Sequence, residues 1–255
     1  LGAKLADAEV LERFPISPQD WQESLATLPT RIHSGTSRVH TDTPDDGVVR
    51  HHMPLAMREL FGSARKEILI VNAYVIPDDR WLDQIAEQVA GGVRVRLLMN
   101  SLGSHDVPAV NSHYKAWRKP LLEAGVELHE LRHDAALQSS QVDTAPNTGE
   151  YVGLHVKTAV IDRQRVFIGS MNLDPRSKAI NSEMGVVIES PSLAAELARL
   201  FEEDIAPENA WRVSLDGRGE VRWTASGQVL MQQPARSFWQ RIQDVVFMAF
   251  PRDLY

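Results

Sequence analysis

Residues 154–185 read LHVKTAVIDRQRVFIGSMNLDPRSKAINSEMG and gather most of the chemistry in the chain. LHVKTAVID alternates apolar and polar residues, so on a strand His155 and Lys157 share one face, because side chains repeat every two residues. Asp162 lies an odd number of residues from both; on a continuous strand it points the other way and opens the turn D-R-Q-R, which reads as a structural aspartate. The chain returns as VFIGSMN, placing Ser170 and Asn172 on one face, with Gly169 permitting close backbone approach. An imidazole, an ammonium, a hydroxyl and a carboxamide thus converge, and the set suits a phosphodiester. Phosphoryl transfer depends on positioning and on neutralising the non-bridging oxygens, which Lys157, Ser170 and Asn172 can do without a metal. An imidazole, with an ordinary pKa of about 6.5, can attack phosphorus or protonate a leaving oxygen. Glu183, on the following strand NSEMGVVI, is the candidate carboxylate to brace the second ring nitrogen of His155.

The elements that must hold these groups follow from periodicity. PLAMRELFGSARK predicts a helix and EILIVNAYVIP a buried strand stopped by Pro77. DDRWLDQIAEQVAGG predicts a helix with aspartates at its N-terminus and glycines after its end. Then come the strand VRVRLLMN, a helix around PAVNSHYKAWRKPLLEAG that Pro120 should kink or split, and the strand VELHEL. Strands alternating with helices predict an α/β fold, a mixed and largely parallel sheet sandwiched between helices. Residues 132–150 are polar and aperiodic, a loop that is either a lid or disordered. SPSLAAELARLFEED predicts an amphipathic helix capped by Ser190 or Ser192, and WRVSLDGRGEVRW a hairpin around Asp216 and Gly217. The organisation expected is a linker or tail over 1–38, a catalytic lobe over 39–205, and a C-terminal hairpin and helix over 206–255.

The spacing H-x-K-x(4)-D, followed by G-S-x-N and a downstream glutamate, resembles the phospholipase D superfamily: His155, Lys157, Asp162, Gly169, Ser170, Asn172 and Glu183 all fit. NLDPRSKAINSEMG, with NAYVIPDD, NSLGSHDVPAVNSHYKAWRKPLLEAGVELHEL and AWRVSLDGRGEVRW, is similar to the C-terminal half of bacterial cardiolipin synthases of the C type, over about residues 40–255. The resemblance places Asp162 in the catalytic set beside His155, Lys157 and Glu183, and implies a phosphatidyltransferase working through a phosphohistidine. It also implies two signatures facing each other, of which this sequence carries one; His113 and Lys115 repeat the first spacing, but Pro120 stands where an aspartate belongs. A second such lobe is therefore expected as partner, either a half outside this segment, which the start at Leu1 favours, or a second copy. In two-signature relatives the first histidine is the nucleophile, which makes His155 the general acid and later the base. Phosphatidylethanolamine as a donor, phosphatidylglycerol as acceptor, hydrolysis as a side reaction, and a peripheral position on the bacterial inner membrane complete what the resemblance implies. Some members of the superfamily are nucleases, so a phosphodiesterase or nuclease acting on nucleic acid is the alternative reading, and a non-catalytic membrane-associated lobe is the third.

Composition bounds these readings. With 34 acidic and 27 basic residues the formal charge is −7, so no global positive field attracts a phosphate backbone and nucleic acid is not the favoured partner. Cysteine is absent, which excludes disulfides and thiolate catalysis, and neither a metal nor another cofactor is expected. No apolar run reaches the roughly 18 residues of a spanning helix. Two further residues have two uses each: Arg176 to contact a lipid headgroup or to form a surface salt bridge, and Tyr74 to line the substrate cavity or to pack in the core. Ser104, His105 and Asp106 are adjacent in sequence and read as a loop cap rather than a triad. His51 and His52 read as surface residues. In ARSFWQRIQDVVFMAF, Phe238, Ile242, Val245 and Ala249 fall at helical spacing beside Trp239 and Val246. Docking on the protein's own core is the main expectation for that face. An interfacial helix, with Trp239, Arg236 and Arg241 near the boundary, is the minority reading.

Overall fold

The computed structural model describes residues 32–139 and 149–249, with residues 22, 25 and 26. Most of the linker or tail expected over 1–38 and much of the 132–150 loop lie outside them. Twelve strands are described: β1 Thr36–Thr41, β2 Thr43–Asp45, β3 Val48–Arg50, β4 Glu67–Asn72, β5 Arg94–Asn100, β6 Glu127–Leu131, β7 Lys157–Ile161, β8 Arg165–Gly169, β9 Met184–Glu189, β10 Ala210–Leu215, β11 Val221–Ala225 and β12 Gln228–Leu230. The helices of eight or more residues are α1 Met53–Gly62, α2 Asp79–Ala90, α6 Pro191–Asp204 and α7 Phe238–Phe247; shorter ones are α3 Pro108–Tyr114, α4 Arg118–Glu123 and α5 Pro175–Ala179.

Ten strands form one sheet in the order β1-β9-β8-β7-β4-β5-β6-β10-β11-β12. It is mixed, as the sequence predicted, but parallel pairing is confined to β4-β5-β6, which narrows the expectation of a largely parallel sheet. For β7 and β8 the reason is local: only residues 162–164 join them, too short a connection for a parallel crossover. The sheet also runs across both expected boundaries, since β1 pairs with β9 and β10 with β6.

Burial on both faces explains why EILIVN and RVRLLMN read as continuous apolar runs. Ile68 and Ile70 of β4 pack on one side with Met57, Phe61, Trp81 and Leu97. Leu69 and Val71 pack on the other with Ala194, Ala198 and Phe201 of α6. The caps are those the sequence announced: Asp78 accepts from Trp81 N–H at 2.8 Å, and Ser190 accepts from Leu193. The helix containing Pro120 is split as predicted, α3 ending at Tyr114 and α4 starting at Arg118. A buried ion pair between Arg118 and Glu130 at 2.6 Å, whose carboxylate also accepts from Tyr114 Oη and Trp223 Nε1, ties the hairpin predicted over 211–223 to the body of the lobe.

Candidate active site

Two buried asparagines, each the last residue of a central strand, build the floor. Asn72 ends β4; its Oδ1 accepts from Tyr74 N–H at 3.2 Å and its Nδ2 donates to Met171 O at 3.3 Å. Asn100 ends β5; its Oδ1 accepts from Leu154 N–H at 2.8 Å, and its Nδ2 donates to Ala73 O at 3.1 Å and Leu154 O at 3.0 Å. A carboxamide carries donor and acceptor on one planar head, so it can stand in for a neighbouring peptide where the strand ladder stops. These bonds fix the backbone beside Tyr74, His155 and Met171. Gly153 lets this segment pass close to the Ser101–Ser104 turn, since a Cβ there would lie 2.6 Å from Ser104 O.

His155 lies just before β7, on an extended segment rather than inside the strand predicted from Leu154. Its ring is exposed and meets the edge of Tyr74 at 5.9 Å between centroids. Among the described residues nothing hydrogen-bonds its imidazole. Lys157 is buried, 8% exposed; its Nζ donates to His155 O at 2.9 Å and sits 5.6 Å from the centre of the Tyr74 ring. Burial holds its pKa below the ordinary lysine range, against the opposing pull of Glu183, Asp106 and Asp174. These carboxylates surround the ammonium without forming an ion pair with it, which leaves the protons not given to His155 O available for an anionic ligand.

Tyr74, left between cavity and core by its sequence, lines the site. Its hydroxyl donates to Asp106 Oδ2 at 2.8 Å, and its ring stacks on His105 at 5.5 Å. Its burial, with the Asp106 carboxylate second, pushes its pKa well up; His105 and the Tyr74 hydroxyl hold Asp106 down to about 2 despite partial burial. The Ser104–Asp106 loop is no triad: Ser104 Oγ bonds within the Ser101 turn, and His105 Nδ1 accepts from Val107 N–H at 3.3 Å. It is, however, the wall behind Tyr74, a use the sequence did not reveal.

Glu183 departs from expectation. Rather than bracing His155, its carboxylate accepts from the Ser170 hydroxyl and from Asn181 Nδ2 at 3.0 Å. Ser170 pairs with Met184 across the β8–β9 contact, so its hydroxyl is the nearest donor to the acid. Ser170, expected on the substrate phosphate, thus gives its proton to Glu183. Glu183 is anchored by the buried Asp42, which the sequence did not single out: Glu183 N–H donates to Asp42 Oδ2 at 3.0 Å, and Asp42 Oδ1 takes His52 and Met53 N–H at 2.7 and 2.8 Å. Burial works against the Asp42 carboxylate, yet these three amides keep its pKa below the usual range. His52 is exposed as predicted, whereas His51 is half-buried, 3.7 Å from Asp42.

Asn172 lies where residues 171–173 run alongside Tyr74–Ile76: Leu173 N–H donates to Tyr74 O at 3.1 Å and Ile76 N–H to Leu173 O at 2.7 Å. Its Oδ1 is buried without a donor among the described residues. Asp174 caps α5 by accepting from Ser177 N–H at 2.7 Å, and Ser177 Oγ accepts from Asn172 N–H at 3.2 Å. That closed loop gives the D-P-R-S run its physical sense, and burial raises the Asp174 pKa. Arg176 is exposed and forms no ion pair among the described residues, so its expected surface salt bridge is not made.

Asp162 is not brought to the site. It stands past the far end of β7, five residues beyond Lys157 and so about 16 Å away along a strand. There it accepts from Arg65, Lys66 and Glu67 N–H at 2.9, 2.7 and 2.9 Å. The turn-forming aspartate read from parity is what the fold contains, and its place in the catalytic set is corrected accordingly. His113 and Lys115 are also elsewhere, on or just after α3, with Lys115 paired to Asp244 at 2.8 Å.

Residues 57–205 match the family model described as cardiolipin synthase, PLD-like domain. The chain belongs to this phospholipase D-like family. It is 36% identical over 214 residues to cardiolipin synthase C of Escherichia coli K12, covering 81% of this chain and 45% of that protein. It is 29% identical over 143 residues to cardiolipin synthase B of the same strain, covering 56% of this chain and 29% of that protein. The chain thus spans less than half the length of these relatives. Among solved structures, the phospholipase D family member Nuc from Salmonella typhimurium shares the fold, with a TM-score of 0.51 and 17% identity over 70% of this chain and 99% of that one. The family resemblance and the mixed α/β fold expected from the sequence are therefore both found.

Proposed function

We propose that the chain is one lobe of a phosphatidyltransferase of the cardiolipin synthase kind, acting on phospholipids at a membrane surface. The observation that carries this reading is the exposed His155 imidazole standing beside the buried, carboxylate-unpaired Lys157 ammonium, with Tyr74 walling both. In the first half-reaction a histidine of a second lobe attacks phosphorus while the bond to the leaving alcohol breaks, and His155 gives that oxygen its proton. In the second, His155 takes the proton of an acceptor hydroxyl, whose oxygen displaces the phosphohistidine. Lys157 and Asn172 neutralise the non-bridging oxygens. Phosphatidylglycerol as acceptor, phosphatidylethanolamine as a donor, and a peripheral place on the bacterial inner membrane follow from the likeness to cardiolipin synthase C. Among the described residues no helix is long and apolar enough to cross a membrane.

The test is lipid turnover by a protein that joins this lobe to a second signature-bearing lobe, followed by thin-layer chromatography and set against plasmid nicking. Transfer products that vanish in His155→Ala support the proposal. Turnover unchanged in that variant, or nicking without any lipid product, overturns it.

A further inference from the structure

Helix α7 is mounted inside out. Its buried residues are Gln240 and Asp244, while Phe238 is 73%, Trp239 71%, Val245 60% and Val246 54% exposed, with Ile242 and Met248 also open to solvent. The expectation that its apolar face docks on the protein's own core is thereby corrected. The polar face does the docking: Asp244 accepts from Asn111 Nδ2, from Lys115 Nζ at 2.8 Å and from Gln233 Nε2 at 2.8 Å, and Gln240 Nε2 donates to Leu102 O at 2.5 Å. A helix held by buried hydrogen bonds with its hydrocarbon turned outward has a surface awaiting an apolar phase.

Two features identify that phase. The first is charge: Asp244 is buried and paired, so the charges left open to solvent on the described part of α7 and its approach are those of the exposed Arg236 and the half-buried Arg241, in a chain whose formal charge is −7. Adjacent Phe and Trp rings with arginines at the margin suit the headgroup layer of an anionic bilayer. The second is continuity with the site. Gln240 and Arg236 bond the carbonyls of Leu102 and His105, the loop whose His105 and Asp106 hold Tyr74 against His155. Arg236 also lies over the ring of Tyr151, 3.4 Å from its centroid. The helix that carries the apolar face is therefore bonded to the wall of the candidate site.

We propose that α7 is an interfacial helix that lays this lobe on an anionic phospholipid surface through Phe238, Trp239, Ile242, Val245 and Val246, with the pocket mouth at headgroup level. The inference rests on the phospholipid reading of the site, but its test needs no turnover. The 255-residue chain is sedimented with vesicles of phosphatidylglycerol and phosphatidylethanolamine, and separately with phosphatidylcholine alone. Binding should favour the anionic vesicles and should fall at least about tenfold in Trp239→Ser/Val246→Ser, in line with two large side chains withdrawn from hydrocarbon. Both positions are exposed, so circular dichroism and thermal unfolding should match the parent. Vesicle binding indifferent to the substitutions, or no preference for anionic vesicles, would overturn the proposal. So would loss of a dimer, or of binding to an added second lobe, with vesicle binding intact, since the face would then be a protein interface. Vesicle binding through α7 together with turnover that ignores His155→Ala would leave this inference standing and remove the enzymatic one.

Discussion

Asn100 holds Leu154 by both of its backbone polar groups, accepting its N–H at 2.8 Å and donating to its carbonyl at 3.0 Å, one residue before the imidazole of His155. Replacing Asn100 with Ala leaves three buried peptide groups without partners. We expect a loss of about 2–4 kcal/mol of stability and a fall in turnover that the conservative Asn100→Asp, which lacks the donors, does not rescue. Urea denaturation beside kcat measurements at a temperature where the variant is folded checks both.

Asp162 and His155 should separate cleanly by assay. Asp162→Ala uncaps the three amides leading into the start of β4 and should cost about 2 kcal/mol, with turnover at low temperature largely retained. His155→Ala, at an exposed ring, should leave stability unchanged and remove turnover. Equal catalytic loss in both variants, with no change in melting temperature, would contradict the placement of Asp162.

Lys157→Met keeps the side chain's length and burial but removes its charge. Because burial already disfavours the ammonium and no carboxylate pairs with it, stability should be unchanged or slightly higher. The rate should fall about 100- to 1,000-fold for want of a cation on the phosphate oxygens. Differential scanning calorimetry and lipid turnover measured on the same preparation decide.

Asp204, at the end of α6, is pushed up to about 6 by burial and by the neighbouring Glu203. A folded-state pKa above the unfolded one means that the stabilisation is fully present below about pH 4 and is lost as pH rises through 6. At pH 7 the fold therefore carries an unfavourable charge there. Asp204→Asn should stabilise the protein at pH 7 by roughly 1–2 kcal/mol and have little effect at pH 4, a difference that urea titrations at the two pH values would reveal.

The strand and helix pattern was legible because burial on both sheet faces writes long apolar runs into β4 and β5, and because Asp78 and Ser190 announce their helices. Strand direction was less so: periodicity registers which residues are buried, not which neighbour a strand finds, and the parallel pairs proved to be two. Within the site, spacing alone identified His155 and Lys157, and parity alone separated Asp162 from them. Glu183 was placed on the right strand but against the wrong partner, because the register that sets it opposite Ser170 is a tertiary fact. Asn72 and Asn100 did leave a signal, a lone carboxamide closing the apolar run of each of two central strands. Asp42 and Asp106 left none, since each acts on residues far away in sequence. The α7 face was read correctly as apolar and assigned the wrong side, because the sequence does not say that Lys115 and Asn111 wait for Asp244.

The bond from Leu173 N–H to Asn72 joins residues 101 positions apart, and that from Arg65 N–H to Asp162 spans 97. Strand β7 must therefore slot between β4 and β8 after most of the chain is available, so closing the long loop is costly and comes late in folding. A product truncated before β7 therefore keeps the parallel strands β4, β5 and β6 but lacks the assembled site.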